Sequence, residues 1–156
     1  QQPTEPTHSR SFSRALLVAV MVAALYGAVL LAIDGVISLL ADRDVIVEAD
    51  AGPLVGPIMA FSAVCVVFLS VLSGLRPVPG GVRFPLGPAL LTGLAVYLLS
   101  PSIGAIVYVF GQEQLLSGVH FFVRYLLSPF VLAAALLAVV TILLLPAIAL
   151  ARSRAA

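Results

Sequence analysis

ALLVAVMVAALYGAVLLAI, residues Ala15 to Ile33, holds 19 positions without a charged or strongly polar side chain. Wound as an α-helix rising about 1.5 Å per residue, it measures about 28 Å, close to the hydrocarbon thickness of a bilayer. The stretch therefore predicts a helix that crosses a membrane. Three comparable runs follow, Leu54 to Leu75, Leu86 to Phe110 and Tyr125 to Ala151, with 22, 25 and 27 uncharged residues. The chain between them is too short for a soluble domain.

The totals lead to the same place. Of 156 residues, 62% are hydrophobic and 10% charged, where soluble domains carry roughly 25% charged residues. Mean hydropathy is +1.18, and a water-soluble fold of this composition has nothing to cover its surface with. The sequence thus predicts one all-α polytopic domain, residues 15–151, with transmembrane spans at about 15–40, 54–75, 86–110 and 126–150. A mobile tail of residues 1–14 precedes it and a basic tail of residues 152–156 follows. The apolar run after Arg10 and Arg14 is longer than the usual signal-peptide core of about 7–15 residues and lacks a small-x-small cleavage site, so it reads as an uncleaved anchor. Cys65 is the single cysteine, which excludes a disulfide within the chain.

Arginine placement gives the orientation. With four spans, both termini and the middle connection share one side, and those segments hold Arg10, Arg14, Arg76, Arg83, Arg152 and Arg154. The opposite side has only Arg43 and Arg124, and the acidic connection with Asp42, Asp44, Glu48 and Asp50. The positive-inside rule then predicts cytoplasmic termini, and arginine without any lysine, beside abundant alanine, fits a high-GC bacterial gene and so a bacterial plasma membrane. Four antiparallel helices with short loops most simply form an up-down bundle. Small residues at Ala19, Ala23 and Gly27, and again at Ala134, Ala138 and Thr141, recur at helical spacing and mark faces where another helix can approach closely. On the second span, Ser62, Ser70, Ser73 and Gly74 fall on one side with Cys65 beside them. Pro101, well inside the third, predicts a kink between Tyr97 and Pro101.

The connection from Gly111 to Arg124 differs from the others. At helical spacing Glu113, Ser117, His120 and Arg124 share one face, and Leu115, Leu116, Val119, Phe122 and Val123 take the other. This predicts a short amphipathic segment on the membrane surface before the fourth span.

Candidate chemistry is sparse. Asp34 is the one ionisable residue inside the extended spans, where a charge is costly, by about 2.5–3.5 kcal/mol at the bilayer centre. Near the outer boundary, where water reaches it, the cost falls, and a structural role, capping or pairing, is expected. Seven positions beyond Gly27, it falls near the small-residue stripe and so faces protein. Arg124, at the entrance of the fourth span, is its expected ion-pair partner in the outer leaflet, directly or through water. Glu113 and His120 form a weaker polar cluster, solvated or able to sense protons or bind an anion. His8 and His120 lie on opposite sides, so neither a bis-histidine haem nor a metal site is expected, and no cofactor is implied. The sequence has no Ser/His/Asp arrangement, phosphate-cradling glycine loop or HExxH motif, and the expectation is of a protein that is not an enzyme.

The plan of ALYGAVLLAIDGVISLL leading into DVIVEADAGPLVGP, with Asp50 to Pro57 as its most distinctive part, resembles small four-span membrane proteins of unknown function from high-GC Gram-positive bacteria. The resemblance covers most of the chain and supports the topology; it brings no activity with it. Small multidrug transporters also have four spans but carry a glutamate deep in the first, a depth occupied here by Val22 to Tyr26. Two functions remain: an accessory or scaffold subunit packing with itself or with a larger membrane complex, or a small oligomeric transporter or channel with Asp34, Ser100, Pro101 and Thr141 near its path. Neither involves nucleic acid, and the sequence names no small-molecule substrate.

Overall fold

The computed structural model describes residues 7–42, 53–75, 85–112 and 115–155. Its helices are α1 (Thr7–Ala41), α2 (Val55–Gly74), α3 (Leu86–Gln112), α4 (Leu115–Leu126) and α5 (Pro129–Ala155). Four of them contain a stretch long and apolar enough to cross a membrane: Phe12–Leu40, Val55–Gly74, Leu86–Gly111 and Pro129–Pro146.

Prolines mark where three of these helices begin. Pro57, Pro88 and Pro129 each stand in a first turn, where an amide hydrogen has no partner within the helix and its loss does no harm. The carbonyls just before the helices accept the first bonds, Ile58 N to Leu54 O at 3.0 Å, Ala89 N to Pro85 O at 2.9 Å and Leu132 N to Ser128 O at 3.2 Å. At the far end of α1, Asp42 takes a φ of 48°. That left-handed backbone ends a helix, and aspartate is among the few non-glycine residues that adopt it readily.

α1 is longer than the sequence reading predicts, starting at Thr7 instead of Ala15. No proline or glycine stands between Thr7 and Tyr26, so nothing halts the helix as it extends outward from its apolar core. At the other terminus α5 likewise runs to Ala155, through the segment read as a tail.

The helices pack in a ring, α1 on α2, α2 on α3, α3 on α5 and α5 on α1, with α2 and α5 touching lightly across the centre. This is the up-down bundle expected from four spans with short connections. Its core joins Tyr26 and Leu30 of α1, Ala63 and Val67 of α2, Val96 of α3 and Ala134 and Ala138 of α5. Leucines such as Leu25, Leu69, Leu91 and Leu136 are exposed on the outside, one on each long helix. An apolar exterior around an equally apolar interior is what a bilayer solvent permits.

The small-residue faces are consumed inside the chain. Ala19 and Ala23 are buried in the bundle, and a Cβ on Gly27 would meet Val64 Cγ2 of α2 at 3.1 Å. The helix that approaches this stripe is therefore α2 of the same chain. Ala134 and Ala138 are buried in the same way. Substituting Ala23 or Gly27 by leucine consequently perturbs the fold itself before any assembly.

α4 departs from the expectation of a segment lying on the surface. Gly118 sits against Ala105 and Val109, and Phe121 against Gly104 and Tyr108. The hydroxyl of Tyr97 reaches the carbonyl of Leu126. As residue numbers rise along α4 they fall along α3, so α4 folds back against the second half of α3. The reason is aromatic. Phe121 stacks on Tyr108 at 5.0 Å between ring centroids and on Tyr125 at 4.2 Å, and the three rings join Val55, Met59 and Val131 in a second core. The buried face of α4 is thus Gly118, Phe121 and Tyr125. Leu116, Val119 and Val123 point outward.

Candidate functional site at the α4 end of the bundle

Polar groups inside the bundle fall into two kinds. Hydroxyls form the first, and they are turned onto backbone carbonyls. Tyr26 Oη donates to Ala134 O at 3.0 Å, tying α1 to α5. Ser100 Oγ donates to Met59 O at 2.9 Å, tying α3 to α2, and the same carbonyl accepts from Ser62 Oγ at 2.7 Å. Tyr97 Oη donates to Leu126 O at 2.8 Å. Thr92 and Thr141 bond back to Pro88 O and Leu137 O, four residues earlier in their own helices. Away from water such bonds hold helices in register, because a hydroxyl left alone there costs more than the bond contributes.

The chain is well placed to break a helix between α4 and α5. Tyr97 satisfies Leu126 O, and Ser128 N satisfies Tyr125 O at 3.0 Å. Pro129 has no amide hydrogen to satisfy. Pro101, wholly buried, is passed by α3 as a single helix, and beside it Ser102 Oγ bonds to Leu98 O at 2.6 Å.

Asp34 is the second kind. At 100° per residue it falls between Ala23 and Gly27 on the bundle-facing side of α1. It is partly buried, and its Oδ1 atom is buried without a hydrogen-bond partner. Its expected partner, Arg124, is exposed on α4 and already engaged within the chain. α1 packs on α2 and α5, whereas α4 packs on α3 and more lightly on α5. The two residues are therefore on helices that are not neighbours. Their heights nevertheless agree. Tyr26 bonds Ala134, next to the contact of Ala135 with Gly93 of α3, and Phe121 meets Gly104, so Asp34, eight residues above Tyr26, and Arg124, about one turn below Phe121, both stand about 12 Å above that level.

Of the second candidate cluster, His120 is exposed on α4 and Glu113 lies outside the described residues. Sequence reasoning missed the Ser100–Met59–Ser62 junction and the Tyr97 bond to Leu126. Only the spacing of Gly118, Phe121 and Tyr125 on α4 could have signalled a buried aromatic face.

Four long apolar helices in an up-down ring, apolar outside and with interior hydroxyls bonded to the backbone, define a small helical protein of the multi-pass membrane class. Within that class the chain belongs to a family of unknown function, DUF6121, whose model matches residues 8–156. No curated protein and no solved structure matches it. The family assignment agrees with the resemblance to uncharacterised four-span proteins.

Proposed function

We propose that the protein is a non-enzymatic accessory or scaffold subunit of the bacterial plasma membrane, with both termini cytoplasmic, that packs with itself or with a larger membrane complex. The observation that carries this reading is Asp34. Every interior hydroxyl described above has its acceptor within the chain, while Oδ1 of this carboxylate is buried with no donor. An acid at that depth is stabilised by a donor from elsewhere. A partner helix at the α4 end supplies one.

The alternative, an oligomeric transporter or channel, has less support. Of the residues expected near its path, Ser100 is bonded to Met59, Pro101 is packed in the core and Thr141 is bonded to its own helix. Purification of the full chain in a gentle detergent tests the two readings together. A stoichiometric companion, either a second copy or a distinct protein, without solute flux supports the scaffold. An assembly of copies that mediates solute flux into vesicles, lost in Asp34→Asn, supports transport and overturns it.

A further inference from the structure

The α4 end of the bundle has an asymmetry that the rest lacks. Below the start of α5 the bundle is a closed ring, whereas above it α1 and α4 flank the position that α5 vacates and do not pack on each other. Each brings a charged group of opposite sign to that level. Asp34 has a buried oxygen without a donor; Arg124 is exposed, beside the exposed side chains of Val123 and Leu127.

From this we infer that a second copy of the chain docks across the α4 end, so that Asp34 of each copy receives Arg124 of the other. The inference rests on the scaffold reading and names its partner. Copies inserted in the same sense hold equal residues at equal depth, so groups matched in height within one chain are matched between two. α1 and α4 flank the same gap, and a two-fold axis through it sets α1 of each copy against α4 of the other. The contact is then self-complementary and closed, with two ion pairs per dimer. Arg124 is already engaged within its own chain, and its five donors leave room for a carboxylate as well. Leu127, 80% exposed just past α4, and Ile33, half-buried on the side of α1 that carries Tyr26, are of similar height and flank the charges with apolar surface.

Charge reversal in trans tests the arrangement on the full chain in lipid nanodiscs. Asp34→Arg alone and Arg124→Asp alone should each lose the dimer, at least tenfold, because like charges then face each other at both pairs. Mixing the two variants should restore a heterodimer: at one pair the introduced arginine meets the introduced aspartate, and at the other the native Asp34 meets the native Arg124. A pair closed within one chain gives no such rescue by mixing, and that result overturns the proposal. Should either reversal fail to fold, a second arm serves. In a Cys65→Ala background, Ile33→Cys and Leu127→Cys carried on separate copies should cross-link on oxidation, and Phe61→Cys with Leu91→Cys should not. Absence of the first cross-link with the chain folded also overturns the proposal. If the native chain is then found with a different protein, the scaffold reading stands without the dimer. If it is found with nothing, both fall.

Discussion

Gly93→Ala is the sharpest perturbation of the bundle. α3 packs closely on α5 there: an added Cβ would overlap Val139 Cγ2 and lie 3.2 Å from the backbone oxygen of Ala135. Val139 is β-branched and has few rotamers to escape into, and the carbonyl moves only if α5 moves. Overpacking of this kind costs about 3 kcal/mol at the upper end of its usual range. Exchanging glycine for alanine inside a helix offsets about 1 kcal/mol of that. The balance is a loss of ~2 kcal/mol. Equilibrium unfolding in mixed detergent–lipid micelles reads it directly, with Gly35→Ala as the control, because a Cβ at Gly35 meets nothing within 4 Å. The control should be unchanged or up to about 1 kcal/mol more stable. If Gly93→Ala is as stable as the parent while Gly35→Ala behaves as expected, α3 and α5 do not cross as described.

Three other substitutions follow from the same packing. Tyr97→Phe removes the donor to Leu126 O and should lower stability by about 1 kcal/mol, with faster amide exchange confined to residues 125–132. Phe121→Ala empties the centre of the aromatic stack; a loss of about 3 kcal/mol should appear first as protease cleavage on either side of α4, with α1 and α2 still protected. Ser100→Ala should be milder, about 0.6 kcal/mol, the typical size of a hydrogen bond between membrane helices, since Met59 O keeps its bond from Ser62.

How much of this was legible in the sequence depended on whether a feature is local. Long uncharged runs fixed the number of spans, and Pro129 was readable as standing in a first turn, where a missing amide hydrogen does no harm. The stripe of Ala19, Ala23 and Gly27 was readable as a close-approach face. Its partner, Val64 on α2, was not, because any helix can accept such a face. Serines 62 and 100 were visible as residues, but their common acceptor is a backbone carbonyl, and every residue carries one of those. α4 misled for a related reason. Its polar residues share one side, so the segment reads as lying on the membrane surface with its apolar side toward lipid, and nothing in that pattern marks which residues a neighbouring helix covers. Bulk and ring stacking, not polarity, chose Phe121 and Tyr125 for the interior.

The features a bilayer tolerates least all fall near one level. The interruption between Leu126 and Pro129 stands opposite Tyr97, close to the middle of α3, and Asp34 and Arg124 lie within a few turns of it. Broken backbone at such depth persists only where protein or a water-filled cavity covers it, and the bonds from Tyr97 and Ser128 cover the backbone from inside the chain. The carboxylate has no such arrangement, since α5 begins too low to reach it and α4 leans on α3. The same break that lets α4 fold against Tyr108 thus withdraws a neighbour from Asp34. In the proposed dimer a second chain at that level supplies the neighbour, with the acid and the exposed arginine on the two helices that flank the gap.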